Sequence, residues 1–301
     1  MNTVLFAMTV LIWGTTWIAI TLQVGPVPVL VSVFYRFAAA GGVFLLGLAL
    51  SGRLILPDRR HRPWILAQAL CLFSLNFICF YAAAAYIPSG LLSVVFSLAT
   101  LFNAFNARLF FGDRITGRVM LASALGVLGL VLLFGPDLSL DASGQALHGI
   151  ALAALGTLFF SLGNMISRRN SAAGLGTIAA NAWGMACGAA ILLAAILASG
   201  TPMIAPPDAA YLGAMLYLAV FGSIIAFTTY LMLVARVGSS RAAYATVLFP
   251  IVALAISTVF EGYEWTWVSG AGVLLALLGN AVMFVRLPKG CVRGPAESLA
   301  K

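Results

Sequence analysis

Charge is what this sequence has least of. Of its 301 residues 8% are charged, 16 basic and 8 acidic, against 62% hydrophobic; soluble domains carry roughly a quarter charged residues. So few ionisable groups cannot solvate a globular surface of this size, which excludes a soluble enzyme or regulator. Lysine is confined to Lys289 and Lys301 and no Gly-rich Walker loop occurs, so ATP does not drive the chain directly. Histidine is limited to His61 and His148, in opposite loops with no acid near either within a span. A nucleophile with its base, or a metal set, is therefore missing, and the chain reads as neither an enzyme nor a cofactor carrier. Cys71, Cys79 and Cys187 fall within apolar runs and Cys291 in a basic tail, so no disulfide framework is expected. The segment 1–20 lacks a basic leader and a small-residue cleavage site and reads as an uncleaved first span.

Long apolar runs are abundant. A spanning helix needs roughly 20 mostly apolar residues, and ten such runs can be counted, near residues 3–22, 29–51, 64–85, 89–111, 119–134, 149–167, 177–199, 211–235, 242–260 and 267–285. The predicted fold is all-α, a polytopic membrane protein with short connections. Basic residues mark the cytoplasmic side. They follow every even run: Arg53, Arg59, Arg60 and Arg62; Arg108, Arg114 and Arg118; Arg168 and Arg169; Arg236 and Arg241; Arg286, Lys289, Arg293 and Lys301. The remaining loops hold no Lys or Arg and carry Asp137, Asp141, Asp208, Glu261 and Glu264 instead. Both termini are thus expected in the cytoplasm. The net charge of +8 reports topology, and a nucleic-acid partner is not expected.

Displacing the sequence by 150 residues aligns Ser89 with Ser239, Leu98 with Leu248, Phe110 with Phe260, Gly112 with Gly262, Thr116 with Thr266 and Gly129 with Gly279. Runs three to five would then repeat as eight to ten. Five spans per half is odd, so the second half enters the membrane from the opposite face, the inverted repeat typical of secondary transporters. The expected units are residues 1–140, residues 141–287 and a short basic cytoplasmic tail, 288–301.

Run one reads Leu11-Ile12-Trp13-Gly14-Thr15-Thr16-Trp17, run two opens with Gly25-Pro26-Val27-Pro28 and contains Arg36, and run four ends Phe111-Gly112-Asp113-Arg114-Ile115-Thr116. With these motifs the chain resembles the drug/metabolite transporter superfamily, EamA branch, and is most similar to its bacterial amino-acid exporters, including those for aromatic amino acids. The resemblance implies that spans one, three, four, six, eight and nine surround a central cavity while five and ten pack behind it. Span seven has no arginine to match Arg36. The resemblance places span two beside the cavity, which favours a structural role for Arg36, capping carbonyls or pairing with a neighbouring helix, over neutralising a substrate carboxylate.

Polar side chains in hydrocarbon are costly unless they face protein or a wet cavity. Ser93, Ser97 and Thr100 recur on one face of span four, Asn76 and Phe80 lie one turn apart in span three, and Phe160 and Asn164 in span six. Trp13 and Trp17 are one turn apart in span one, span eight contributes Ser223, Phe227 and Tyr230, and Tyr244 opens span nine. A hydroxyl that merely bonds its own helix, or a ring that merely packs, would give the same pattern residue by residue. Together they suit a ligand with an apolar body and a polar head. The candidate substrate-binding residues are Trp17, Asn76, Phe80, Ser97, Thr100, Asn164, Tyr230 and Tyr244. Pro250, alone well inside a span, frees the carbonyl of Thr246 and is a candidate hinge, or a fixed bend. Gly184 and Gly188 form a close-packing pair.

All eight acids fall in loops or span ends. Recognising a lipophilic cation or relaying protons normally uses a buried carboxylate. Cation antiport is therefore disfavoured, and facilitated movement of a neutral or zwitterionic solute is preferred. Coupling through Glu261 or Glu264 stays open, as do export of other metabolites or drugs and a non-transporting scaffold. The expected partners are a small-molecule substrate and the lipid of the bacterial inner membrane; a monomer suffices.

Overall fold

A computed structural model describes residues 2–140, 144–230 and 245–284, and every element among them is helical. Among the described residues eight helices are long and apolar enough to cross a membrane: α1 (Thr3–Thr21), α2 (Val29–Leu50), α3 (Arg59–Ala83), α4 (Ser89–Phe111), α5 (Gly117–Phe134), α6 (Gln145–Ala172), α7 (Thr177–Ser199) and α8 (Ala209–Tyr230). Two further apolar helices are shorter, α9 (Ala245–Phe260) and α10 (Trp267–Phe284). In a bilayer every backbone N–H and C=O must be satisfied within the protein, so apolar runs of this kind fold as helices. The molecule is accordingly a multi-pass membrane protein. The ends of the expected spans agree with the helices within a few residues, and the stretch between α8 and α9 lies outside the described residues.

Local chemistry sets the helix ends. Pro28 and Pro88 precede α2 and α4, where a missing N–H costs nothing. Asp208 caps α8 by accepting from the Tyr211 amide at 2.7 Å, and Thr266 and Ser269 cap α10 reciprocally, each hydroxyl accepting the other's amide at 2.9 and 3.0 Å. The helices α4 and α9 end in the same way. Gly112 and Gly262 take φ of 71° and 65°, open only to glycine without strain. The amides of Asp113 and Tyr263 then reach back to the carbonyls of Ala107 and Ser257, each at 3.3 Å.

Small residues decide which helices touch. A Cβ built on Gly129 of α5 would lie 2.6 Å from the Ala276 nitrogen and 2.7 Å from the Gly272 oxygen of α10. One built on Gly279 of α10 would lie 2.8 Å from the Ala122 oxygen and 3.0 Å from the Gly126 nitrogen of α5. The second set repeats the first with every partner shifted by 150 residues. Likewise Gly41 brings α2 onto the backbone of Ala186 in α7, while Gly184 and Gly188 make room for Phe73 of α3. Cysteines 71, 79 and 187 are free thiols.

Two helices contain π winding. Cys71–Leu75 in α3 and Leu218–Ile225 in α8 are wound as π-helix. In each a serine hydroxyl donates to the carbonyl five residues earlier, Ser74 to Ala69 at 3.1 Å and Ser223 to Leu218 at 3.0 Å. Such bulges concentrate at functional sites.

Candidate functional site

The two π segments flank a cavity of about 60 Å³ inside the helical bundle. Trp13, Thr16, Trp17 and Ile20 of α1 form one wall and Asn76, Phe77 and Phe80 of α3 another; Phe96, Phe160, Gly222, Phe227 and Phe249 enter from α4, α6, α8 and α9, and Arg36 from α2. The helices α5 and α10 supply none of the lining, as the resemblance implies. The rings form one connected set. Trp17 meets Phe80 edge-on at 5.4 Å, Phe96 at 5.3 Å and Phe249 in a stack at 6.3 Å, and Phe96 continues to Phe160 at 4.7 Å. These separations are the favourable aromatic geometries. The space between them has room for only a few waters, so an aromatic solute enters only when the rings part.

Polar chemistry in this enclosure is sparse and incompletely paired. Asn76 is 1% exposed and its Oδ1 has no hydrogen-bond partner. Arg36 is 2% exposed; its Nε donates to Ser223 Oγ at 3.2 Å, its guanidinium lies 4.2 Å from the Phe77 ring centre, and its Nη1 has no partner. A buried donor or acceptor left unpaired costs about 1–3 kcal/mol, so native structures leave few. Five such side-chain atoms occur among the described residues, and two of them belong to residues that line this one cavity. The expectation that α2 stands beside the cavity is corrected here. A π-wound Ser223 and the absence of a Cβ at Gly222, whose Cβ position is 3.5 Å from Arg36 Nη2, let the guanidinium into the wall.

The structure brings three of the predicted residues together, Trp17, Asn76 and Phe80. Four others lie off the lining. Ser97 is buried and donates to its own helix at Val94, 2.7 Å away, and Thr100 does so at Ser97, 3.3 Å away. With Ser93 they flank Leu98, where α4 is interrupted between Ser97 and Ala99. Asn164 donates to Asn103 Oδ1 at 3.4 Å, and beside it Asn106 donates to Ser161 at 2.8 Å, tying α6 to α4. Tyr230 packs on Trp13 at 5.1 Å between ring centres. Tyr244 lies outside the described residues. Pro250 sits within α9, next to the cavity residue Phe249. Thr16, Ile20, Phe77, Phe96, Gly222 and Phe249 were not predicted, and Arg36 was weighed as a carboxylate partner but set second to a structural role. Spacing gives some signal for Phe77, which lies one turn after Phe73 and three residues before Phe80, but rings at helical spacing look the same whether they pack or line a site.

Both ends of the bundle are tied across different helices. At one end Glu261, after α9, accepts the Ser89 amide at 3.0 and 3.2 Å and its hydroxyl at 2.5 Å, at the start of α4. At the other, Arg168 of α6 donates to both oxygens of Asp113, at 2.7 and 3.3 Å. Hydrogen bonding from Arg168 holds the Asp113 carboxyl below its ordinary range. A lowered carboxyl contributes stability that is present above its unfolded value and is lost as pH falls through the folded one. Protection of the 112–117 loop from hydrogen exchange, taken relative to the intrinsic exchange rate at each pH, should therefore hold through neutral pH and fall only on acidification, and Asp113→Asn should lower it at neutral pH. Equal exchange in wild type and Asp113→Asn would show that the pair holds nothing.

An aromatic cavity within a multi-pass helical bundle, with polar ties between helices at either end of α4, fits a membrane transporter. The EamA-like transporter family matches the chain twice, over residues 2–135 and 147–285. The chain belongs to that family. It is 29% identical to the uncharacterized inner membrane transporter YedA of Escherichia coli (strain K12), over 95% of this chain and 90% of that one. It is 22% identical to a probable amino-acid metabolite efflux pump of Salmonella typhimurium, over 90% and 91% of the two chains. A crystal structure at 20% identity shares the fold with a TM-score of 0.66, covering 93% of this chain and 96% of that one.

Proposed function

We propose that the protein is a secondary transporter that exports amino acids, aromatic ones included, across the bacterial inner membrane by alternating access. The observation that carries this reading is the cavity: rings for an apolar body, and unpaired polar atoms on Arg36 and Asn76 for a head. The similarity to a probable amino-acid metabolite efflux pump and to an inner membrane transporter supports substrate class and location. Two inverted halves, 1–140 and 141–287, are supported by the double family match and by the contacts of Gly129 and Gly279 that repeat at a shift of 150. Trp17, Asn76 and Phe80 form the central site. Ser97 and Thr100, at the break in α4, together with Asn164, Tyr230 and Tyr244, engage the solute as the rings part, with Pro250 as the hinge of α9.

The test is counterflow in proteoliposomes loaded with a panel of amino acids and unrelated metabolites. Protein-dependent exchange of amino acids is the expected result, and exchange of none of the panel would favour a scaffold. Flux should survive collapse of the pH gradient, since no acid among the described residues lines the cavity. Loss of flux with protonophore, reproduced by Glu261→Gln, would make the protein a proton-coupled exporter instead. For topology, tags at either terminus should be reached only from the cytoplasm and reporters at Asp141 and Asp208 only from outside; labelling of either loop from the cytoplasm would overturn the ten-span arrangement.

A further inference from the structure

The cavity holds a cation without a counter-ion. Arg36 is 2% exposed, and around its guanidinium the structure places the Phe77 ring at 4.2 Å, the Phe37 ring at 5.4 Å and the Ser223 hydroxyl at 3.2 Å. No carboxylate is among the lining residues, and every acid in the sequence lies in a loop or at a span end. Arginine keeps its charge in such a place. Intramembrane arginines pair with an acid, with carbonyls or with a ligand. Here the first is absent: the guanidinium interacts with the neutral Tyr81 hydroxyl, and its buried Nη1 has no hydrogen-bond partner.

The pairing across the cavity adds a second constraint. Nη1 of Arg36 is a donor in want of an acceptor, and Oδ1 of Asn76 an acceptor in want of a donor. Their residues line the same cavity as Trp17 and Phe80. A carboxylate satisfies the first, with the strength of a charge-assisted bond in a low-dielectric site. An amine, ammonium or hydroxyl on the neighbouring carbon satisfies the second. Neutral aromatics and amines leave the arginine uncompensated.

We propose that Arg36 is the receptor for a substrate carboxylate, so that the transported solutes are apolar or aromatic monocarboxylates, amino acids among them, and their decarboxylated amines are rejected. The inference rests on the reading of the protein as a transporter of amino-acid-like solutes and narrows it to a charge requirement. The unmatched pattern of the two halves agrees with it. The π-wound Ser74 of α3 faces the Gly188 carbonyl of α7 at 3.5 Å, whereas the π-wound Ser223 of α8 faces Arg36 of α2. One of two similar positions carries the cation, and it is the one that opens on the cavity.

Binding is read apart from transport, by quenching of tryptophan fluorescence in the purified protein, with phenylalanine, 3-phenylpropionate and phenethylamine. Trp13 and Trp17 lie in the cavity wall and report occupancy. The two carboxylates should bind at least tenfold more tightly than the amine. Arg36→Gln should weaken both carboxylates at least tenfold and leave the amine unchanged. Arg36→Lys keeps the charge and loses the planar fork, so it should weaken the carboxylates by less, which serves where the glutamine variant does not fold. Equal affinity for amine and carboxylates, or a loss in either variant that is the same for all three probes, would overturn the proposal and leave Arg36 a packing residue. Binding of none of the three would also overturn it, while counterflow of other solutes would then decide the transport reading separately.

Discussion

Alanine in place of Trp17 should weaken binding and transport of aromatic solutes by roughly ten- to a hundredfold and leave the smallest solutes nearly unaffected. Trp17 is the hub of the cavity, touching Phe80, Phe96 and Phe249, so any aromatic body that enters must exchange ring contacts with it. Each aromatic pair is worth about 0.5–1.5 kcal/mol beyond the apolar area it buries, and tenfold in affinity is about 1.4 kcal/mol. Trp17 is also 6% exposed, and truncating a buried tryptophan costs about 3–5 kcal/mol of stability. Trp17→Phe separates the two effects: it should recover most of the stability and part of the aromatic preference. A well-folded alanine variant that handles large and small solutes alike would remove Trp17 from the site. Asn76→Ala, by contrast, should weaken all substrates together, because it removes a head-group contact common to them.

Leucine at Gly129 or at Gly279 should destabilise the protein to a similar degree, by about 1–3 kcal/mol or more, as overpacking of a tight contact does. At both positions a Cβ would meet backbone atoms of the facing helix at 3.0 Å or less, and backbone cannot rotate away as a side chain can. The control is Gly42→Leu, where nothing lies within 4 Å and little change is expected. The double variant should lose less than the sum, since one separation of α5 from α10 relieves both clashes. Melting in detergent measures all four. A large loss at Gly129 with none at Gly279 would mean that the shift of 150 residues is not a symmetry of the packing, and the inverted repeat would go with it.

Helix positions were legible in the sequence because each rests on a local signal. Apolar length located the spans, and the recurrence of Gly112 and Gly129 at Gly262 and Gly279 marked matching turns and matching close contacts. The site was legible only in outline. Trp17, Asn76 and Phe80 meet at the cavity as their spacing suggested, but Ser97 and Thr100 carry the same polar signal and spend it on their own helix. Their hydroxyls bond carbonyls three residues back at an interruption of α4, which spacing alone cannot separate from a wet face. The place of Arg36 on the cavity wall left no sequence signal, because it depends on two features of α8, the π winding around Ser223 and the missing side chain at Gly222. Neither Cys71–Leu75 nor Leu218–Ile225 has a composition that distinguishes it from ordinary helix, so the π segments leave no mark that hydropathy can read.

Those two segments each hold one residue more than an α-helix would place in the same length, and so they set the phase of everything that follows. Expelling the surplus residue from either would turn the downstream stretch by about 100° and move it by about 1.5 Å along its axis. After the first segment come Asn76, Phe77 and Phe80; after the second comes Phe227. A quarter-turn there would carry an amide and three rings out of register with Trp13 and Trp17, emptying the wall of the cavity without tilting a single helix.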